Sequence, residues 1–280
     1  MAALPPLPYD EWEEAKLQLH LVAQIVGKVS LGLSHPWEHW WHVTFSVSPR
    51  GVRTGPMPYE GGFVKLELDL VDHVVVVTTN TGERRTLPLD VPLRDFYREL
   101  TSLLAELGVT VEIQPRAYKM DADDVFSESA RDAYDREAVE RYHQVLLFSA
   151  DVLEEHGGRF GGKSSRVMLF WHSLDLSLVR YSGGGMISSG FWPGDKRVRM
   201  PAYSSYVWPV PAGLREQPVR PEAASWSSDP ESALVLLPYD AVREADDPRG
   251  TLLEFLQSSY EAGARASGWD VEGLGASPPE

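Results

Sequence analysis

The chain has 280 residues, with 26 basic and 41 acidic side chains, a net charge of -15 and no cysteine. Such a balance repels phosphate backbones and anionic lipid, so nucleic acid and membrane surfaces are not expected partners, and the missing cysteines remove disulfides, thiol nucleophiles and thiolate metal sites. At 43% hydrophobic and 24% charged, the composition is that of a globular protein with enough apolar content for one large domain or two ordinary ones.

No stretch reaches the roughly 18 apolar residues that span a bilayer. Met1 to Pro8 lacks both a basic residue and a long apolar run, so it does not read as a signal peptide, and the expected location is cytoplasmic.

Asp10 can cap a first helix whose apolar positions Trp12, Ala15, Leu19, Val22, Ala23 and Val26 recur at helical spacing. On its remaining face Lys16, His20, Gln24 and Lys28 form an i, i+4 row, either a solvated face or a polar row lining a cleft. Gly27-Lys28 is expected to close this helix, as Gly162-Lys163 is expected to stand at a second helix-to-strand junction.

The next stretch, His35-Pro36-Trp37-Glu38-His39-Trp40-Trp41-His42, puts three tryptophans and three histidines into eight residues. From Trp41 to Ser48 apolar and polar residues alternate as in a half-buried strand. The histidine spacing would suit zinc only on a helix, which Pro36 opposes, and a further ligand would be needed, so no metal or other cofactor is expected. The aromatics are then either core and rim residues or the wall of a ligand site.

Val64 to Leu70, Val74 to Val77 and Arg84 to Leu89 predict three antiparallel strands, followed by a helix on Leu93, Phe96, Leu100 and Leu104 and a short strand at 109–113. Periodicity stops over 114–134, an acidic run that reads as a connecting loop. A second helix capped by Asp135 ends at Gly157-Gly158. The glycine-rich Arg159 to Ser165 runs from helix to strand, the reverse of a phosphate-cradling loop.

One long strand is expected from Val167 to Tyr181, with others near Tyr203 and Leu234, and a last helix opens at Asp247-Pro248. The tail, 275–280, is expected to be disordered. The whole is an α+β protein, antiparallel sheet with segregated helices. Helix, Gly-Lys, Trp-His strand, further strands and closing helix recur, so 1–280 reads as one domain with two similar α-β-β-β-α halves as an option, 8–113 and 135–268.

Gln24-Ile25-Val26-Gly27-Lys28, His39-Trp40-Trp41-His42, Arg159-Phe160-Gly161-Gly162-Lys163-Ser164, Phe170-Trp171, Asp175-Leu176, Phe191-Trp192-Pro193-Gly194 and Leu237-Pro238-Tyr239 together resemble a bacterial family known only as domain of unknown function 5996. The resemblance spans about Leu7 to Trp269, implies one family domain and brings no activity. In the family pattern an asparagine stands where this chain has Glu38, a histidine at Met168, a glycine at His172 and an arginine at Gly184. A Tyr-Ser-His-Glu segment expected before Ser188 is replaced by the glycine run, so two family histidines are lost.

Two functions remain open. In the first, a small anionic or aromatic metabolite binds a cleft lined by Trp41, Trp171, His172, Asp175, Arg180 and Trp192 with Lys28 and Lys163 at its edge, and His42 or His39 acts as acid/base. In the second, the same aromatic surface serves a non-catalytic binding or interaction module. No nucleophile elbow, His-Glu-x-x-His or dinucleotide fingerprint decides between them.

Overall fold

The computed structural model describes residues 3–118, 126, 129, 131–229 and 232–275. It divides into two compact units, one of 1–9, 144–168 and 175–280, the other of 10–143 and 169–174. Asp121, Asp123, Asp124 and Glu128 of the acidic run, and the tail beyond Gly275, lie outside the described residues.

The second unit begins with α1 (Tyr9–Leu33) and a 3-10 segment, Glu38–Val43. Its strands are β1 (Ser46–Ser48), β2 (Gly51–Arg53), β3 (Met57–Tyr59), β4 (Gly62–Asp69), β5 (Val74–Thr79) and β6 (Arg84–Pro88), followed by α2 (Leu93–Glu106). All pairings are antiparallel, in the order β1-β2-β4-β5-β6 with β3 also on β4. Alternation decides which face is buried: Val64, Leu66 and Leu68 are enclosed while Lys65 and Glu67 stay half-exposed. The buried face of α2 is Leu93, Phe96, Leu100 and Leu104, the stripe its spacing sets.

The expected α+β class and the three strands from Val64 to Leu89 are present. The expected Trp41–Ser48 strand is not: regular pairing begins only at Ser46, because His39 and Trp40 take left-handed φ values of 57° and 60° and coil the chain first. Val109 and Ile113 are buried without forming a strand. The strand expected from Val167 to Tyr181 is broken into β8 (Met168–Phe170) and β9 (Asp175–Ser182) by a turn in which Leu174 has φ 56°.

α3 (Arg136–Gly158) starts as expected, with Asp135 Oδ1 accepting the Ala138 N–H at 3.1 Å. In the first unit its last turns precede β7 (Lys163–Ser164), β9, β10 (Gly185–Trp192), β11 (Ala202–Trp208), β12 (Ser225–Trp226), β13 (Val235–Pro238), α4 (Tyr239–Arg243) and α5 (Pro248–Ala266). The sheet runs β12-β13-β11-β10-β9-β7, antiparallel throughout. α5 seats on it through Gly263, where a Cβ would come within 2.7 Å of Val207 and 3.0 Å of Ile187. Among the described residues no helix is long and apolar enough to cross a membrane.

Candidate functional site

In the second unit the polar row of α1 is not a solvated face. Gln24 is 0% and Lys16 8% exposed, and His20 and Lys28 are half-buried. Gln24 Oε1 accepts the backbone N–H of Tyr118 at 2.6 Å, so its amide nitrogen must donate to His20 Nε2, 3.2 Å away. That leaves the His20 proton on Nδ1, directed to the carbonyls of His172 and Trp171. Burial, and then the Lys16 cation, pull His20 down to about 4, so the ring is a neutral pin between α1 and the 171–172 turn.

Above this row lies Trp171, 5% exposed. Its indole occupies the place of a side chain at Gly27, where a Cβ would lie 2.3 Å from the ring. α1 continues past Gly27 and Lys28 to Leu33, so Gly27 is a seat for the indole and not the expected helix stop. Tyr118 packs edge-on against Trp171 at 6.3 Å and His172 at 5.5 Å. The buried Trp171 Nε1 has no hydrogen-bond acceptor among the described residues.

Lys28 places its Nζ 5.9 Å from the centre of the Phe126 ring. Burial and then the neighbouring Arg116 cation lower its pKa. Among the described residues no carboxylate pairs with it. Lys28 thus follows Gly27, the seat of the indole, directly in sequence, and has Arg116 as a charged neighbour.

The Trp-His segments meet in this unit. Phe45 and Leu169 exchange both backbone hydrogen bonds, at 2.9 and 2.8 Å, joining the chain after Trp41-His42 to the chain before Trp171-His172. Ser30 Oγ on α1 donates to the His42 carbonyl at 3.2 Å. His42 Nδ1 accepts the Trp37 N–H at 3.1 Å, which leaves Nε2 as the donor position of the ring. Its ring stacks on Trp40 at 5.8 Å, and His39 lies 5.5 Å from Trp41. Of the expected site residues, Lys28, His39, Trp41, His42, Trp171 and His172 belong to the second unit.

The remaining four belong to the first unit. Lys163 is exposed on β7 with its Nζ 5.5 Å from the Tyr181 ring centre, Asp175 opens β9, and Trp192 ends β10 opposite Ala202. Arg180 is 3% exposed; it donates to the His156 carbonyl and stacks on Tyr260 and Phe160. Arg116 and Tyr118 were missed because the acidic 114–134 run carries no periodicity to orient them. No group of three or more possible metal ligands occurs among the described residues.

A family sequence model matches residues 4–186 and 184–276, nearly the whole chain. The chain belongs to DUF5996, a family of unknown function. No curated protein and no solved structure matches it. Nothing transferable therefore assigns a reaction to the Lys28 and Trp171 cluster, and its chemistry has to come from its own groups.

Proposed function

We propose that the second unit binds a small anionic molecule with a planar or aromatic part, held by Lys28 and Arg116 with Trp171 and Tyr118 as its apolar wall. What carries this reading is Lys28, a partly buried cation with no paired carboxylate among the described residues, adjacent in sequence to the Gly27 seat of a buried indole whose N–H has no acceptor among the described residues. An anionic ligand would supply the counter-charge of Lys28, and its acceptor atoms would suit the indole donor. His42 Nε2–H would serve as a hydrogen-bond donor to such a ligand.

Calorimetric titration with inorganic phosphate, benzoate and indole-3-carboxylate tests it. Wild type should bind at least one, Lys28→Met should lose about tenfold or more in affinity, as expected for a charged hydrogen bond, and Lys163→Met should bind as wild type. Unchanged affinity in Lys28→Met would sink the proposal. A ligand that binds without turnover leaves binding as the function.

A second reading has its own observation, the 66% exposure of Trp37 and 62% of Trp40 on a loop with two left-handed residues. Exposed aromatics on a constrained loop suit a protein partner. Selection of a displayed peptide library, with binding abolished in Trp37→Ala and Trp40→Ala, would favour it.

A further inference from the structure

The first unit contains a second concentration of cationic and orphaned polar groups, centred on Arg180. The side chain is 3% exposed, with its guanidinium carbon 4.4 Å from the Tyr260 ring centre and 5.0 Å from that of Phe160. One terminal nitrogen donates to the His156 carbonyl. Among the described residues Arg180 Nε has no partner, and neither has the Tyr260 hydroxyl or His156 Nδ1, though these residues are 4% and 1% exposed. The rings of His156 and Tyr260 meet edge-on at 6.4 Å, so the three orphaned atoms belong to one cluster.

Charge identifies what is missing. Among the described residues no carboxylate pairs with Arg180, and its nearby ionic neighbour, Arg159, has the same sign. Arg159 is itself occupied by Glu155. Stacking on two rings compensates part of the desolvation of a guanidinium but supplies no counter-charge. Arg180 Nε can only donate; the tyrosine hydroxyl and the Nδ1–H tautomer of histidine can donate as well. Three neighbouring side chains able to donate, one of them a cation, are the complement of an anion. Water could meet the hydrogen bonds but would leave the charge unmatched.

We propose that Arg180, His156 and Tyr260 form a buried binding site for a small monovalent anion, a halide or a short carboxylate. Phe160 and Tyr260, whose rings flank the Arg180 guanidinium, are buried, which favours an occupant of a few atoms. It is separate in sequence and in unit from the Lys28 cluster, and neither site requires the other.

The full chain carrying Lys28→Met, which removes the first site, is unfolded thermally in chloride, formate, acetate and benzoate, with ionic strength held constant by a bulky sulfonate buffer salt. The midpoint should rise with the logarithm of chloride, formate or acetate concentration and stay flat in benzoate. The ranking of chloride against the two carboxylates tells a halide site from a carboxylate site. Adding Tyr260→Phe, which keeps the ring under Arg180 but removes the hydroxyl, should move the dependence to about tenfold higher concentration, and Arg180→Met should abolish it. Should Arg180→Met not fold, the Tyr260→Phe comparison and an anomalous bromide peak beside Arg180 Nε in bromide-grown crystals decide. A midpoint flat in every small anion or an unchanged dependence in Tyr260→Phe would overturn the site, and so would solvent without bromide at Arg180 where chloride outranks the carboxylates.

Discussion

Gly27 and His20 show how single residues fix the candidate site. A methyl at Gly27 would lie 2.3 Å from the Trp171 ring, so Gly27→Ala must displace either the indole or the helix. Overpacking of this kind costs about 1–3 kcal/mol, and urea unfolding should show that loss together with a shifted tryptophan emission. His20 carries a pH signature whose sign follows from its depressed pKa. Its contribution is fully present above 6.5, the ordinary histidine value, and is lost as pH falls toward about 4, because over that window the unfolded chain takes up a proton that the folded chain refuses. Lys16 and His172 face the ring and oppose its protonation. Buried His143 and His156 are lowered too, so acid should weaken the protein at several places. Urea midpoints across pH 4 to 6.5 should fall less steeply in His20→Gln than in wild type; parallel curves would remove His20 from this account. The i, i+4 row itself was visible in the sequence, yet whether it met water or protein was not. Burial of Gln24 is decided by Tyr118, 94 positions away, and no local pattern carries that.

At the scale of elements, periodic segments were legible and irregular ones were not. α2 and β4 follow directly from the spacing of their leucines and valines, and α5 begins where Asp247-Pro248 indicates, with the Asp247 side chain accepting the Gly250 N–H. Asp247→Ala should therefore cost about 1 kcal/mol of stability, read as a lowered thermal midpoint, and Asp247→Asn should recover most of it. The alternation from Trp41 to Ser48 misled for a physical reason. Val43 and Phe45 are indeed buried, but their neighbours are turned by consecutive left-handed residues, each costing about 1–2 kcal/mol outside glycine. Trp40 stacked on His42 and the Trp37 N–H bonded to His42 Nδ1 help to hold that coil. Likewise β8 and β9 read as one strand because apolar content runs through the Trp171–Leu174 turn. That turn is what delivers Trp171 and His172 to α1, so the segment hardest to read from sequence builds the candidate site.

For the whole molecule, a net charge of -15 coexists with two places where cations gather, Lys28 beside Arg116 and Arg180 beside Arg159. Elsewhere arginines are matched by carboxylates, Arg249 bridging Asp151 and Glu155 and Arg50 bridging Asp69 and Asp72, and Arg159 itself pairs with Glu155. Long-range and short-range fields therefore have opposite signs. A small anion feels the global repulsion only until it is within a Debye length, about 8 Å at physiological salt, after which local cations dominate. A polyanion spans many such lengths and is repelled along all of them. The protein should accordingly leave the anisotropy of a labelled DNA duplex unchanged even at roughly 50 mM salt, where non-specific binding is strongest. Neutral salt with a bulky anion should meanwhile speed association of a small anion by screening the global field. If salt slowed that association instead, or the duplex bound, the basic residues would form a continuous surface track and the two-cluster reading of the charge would fail.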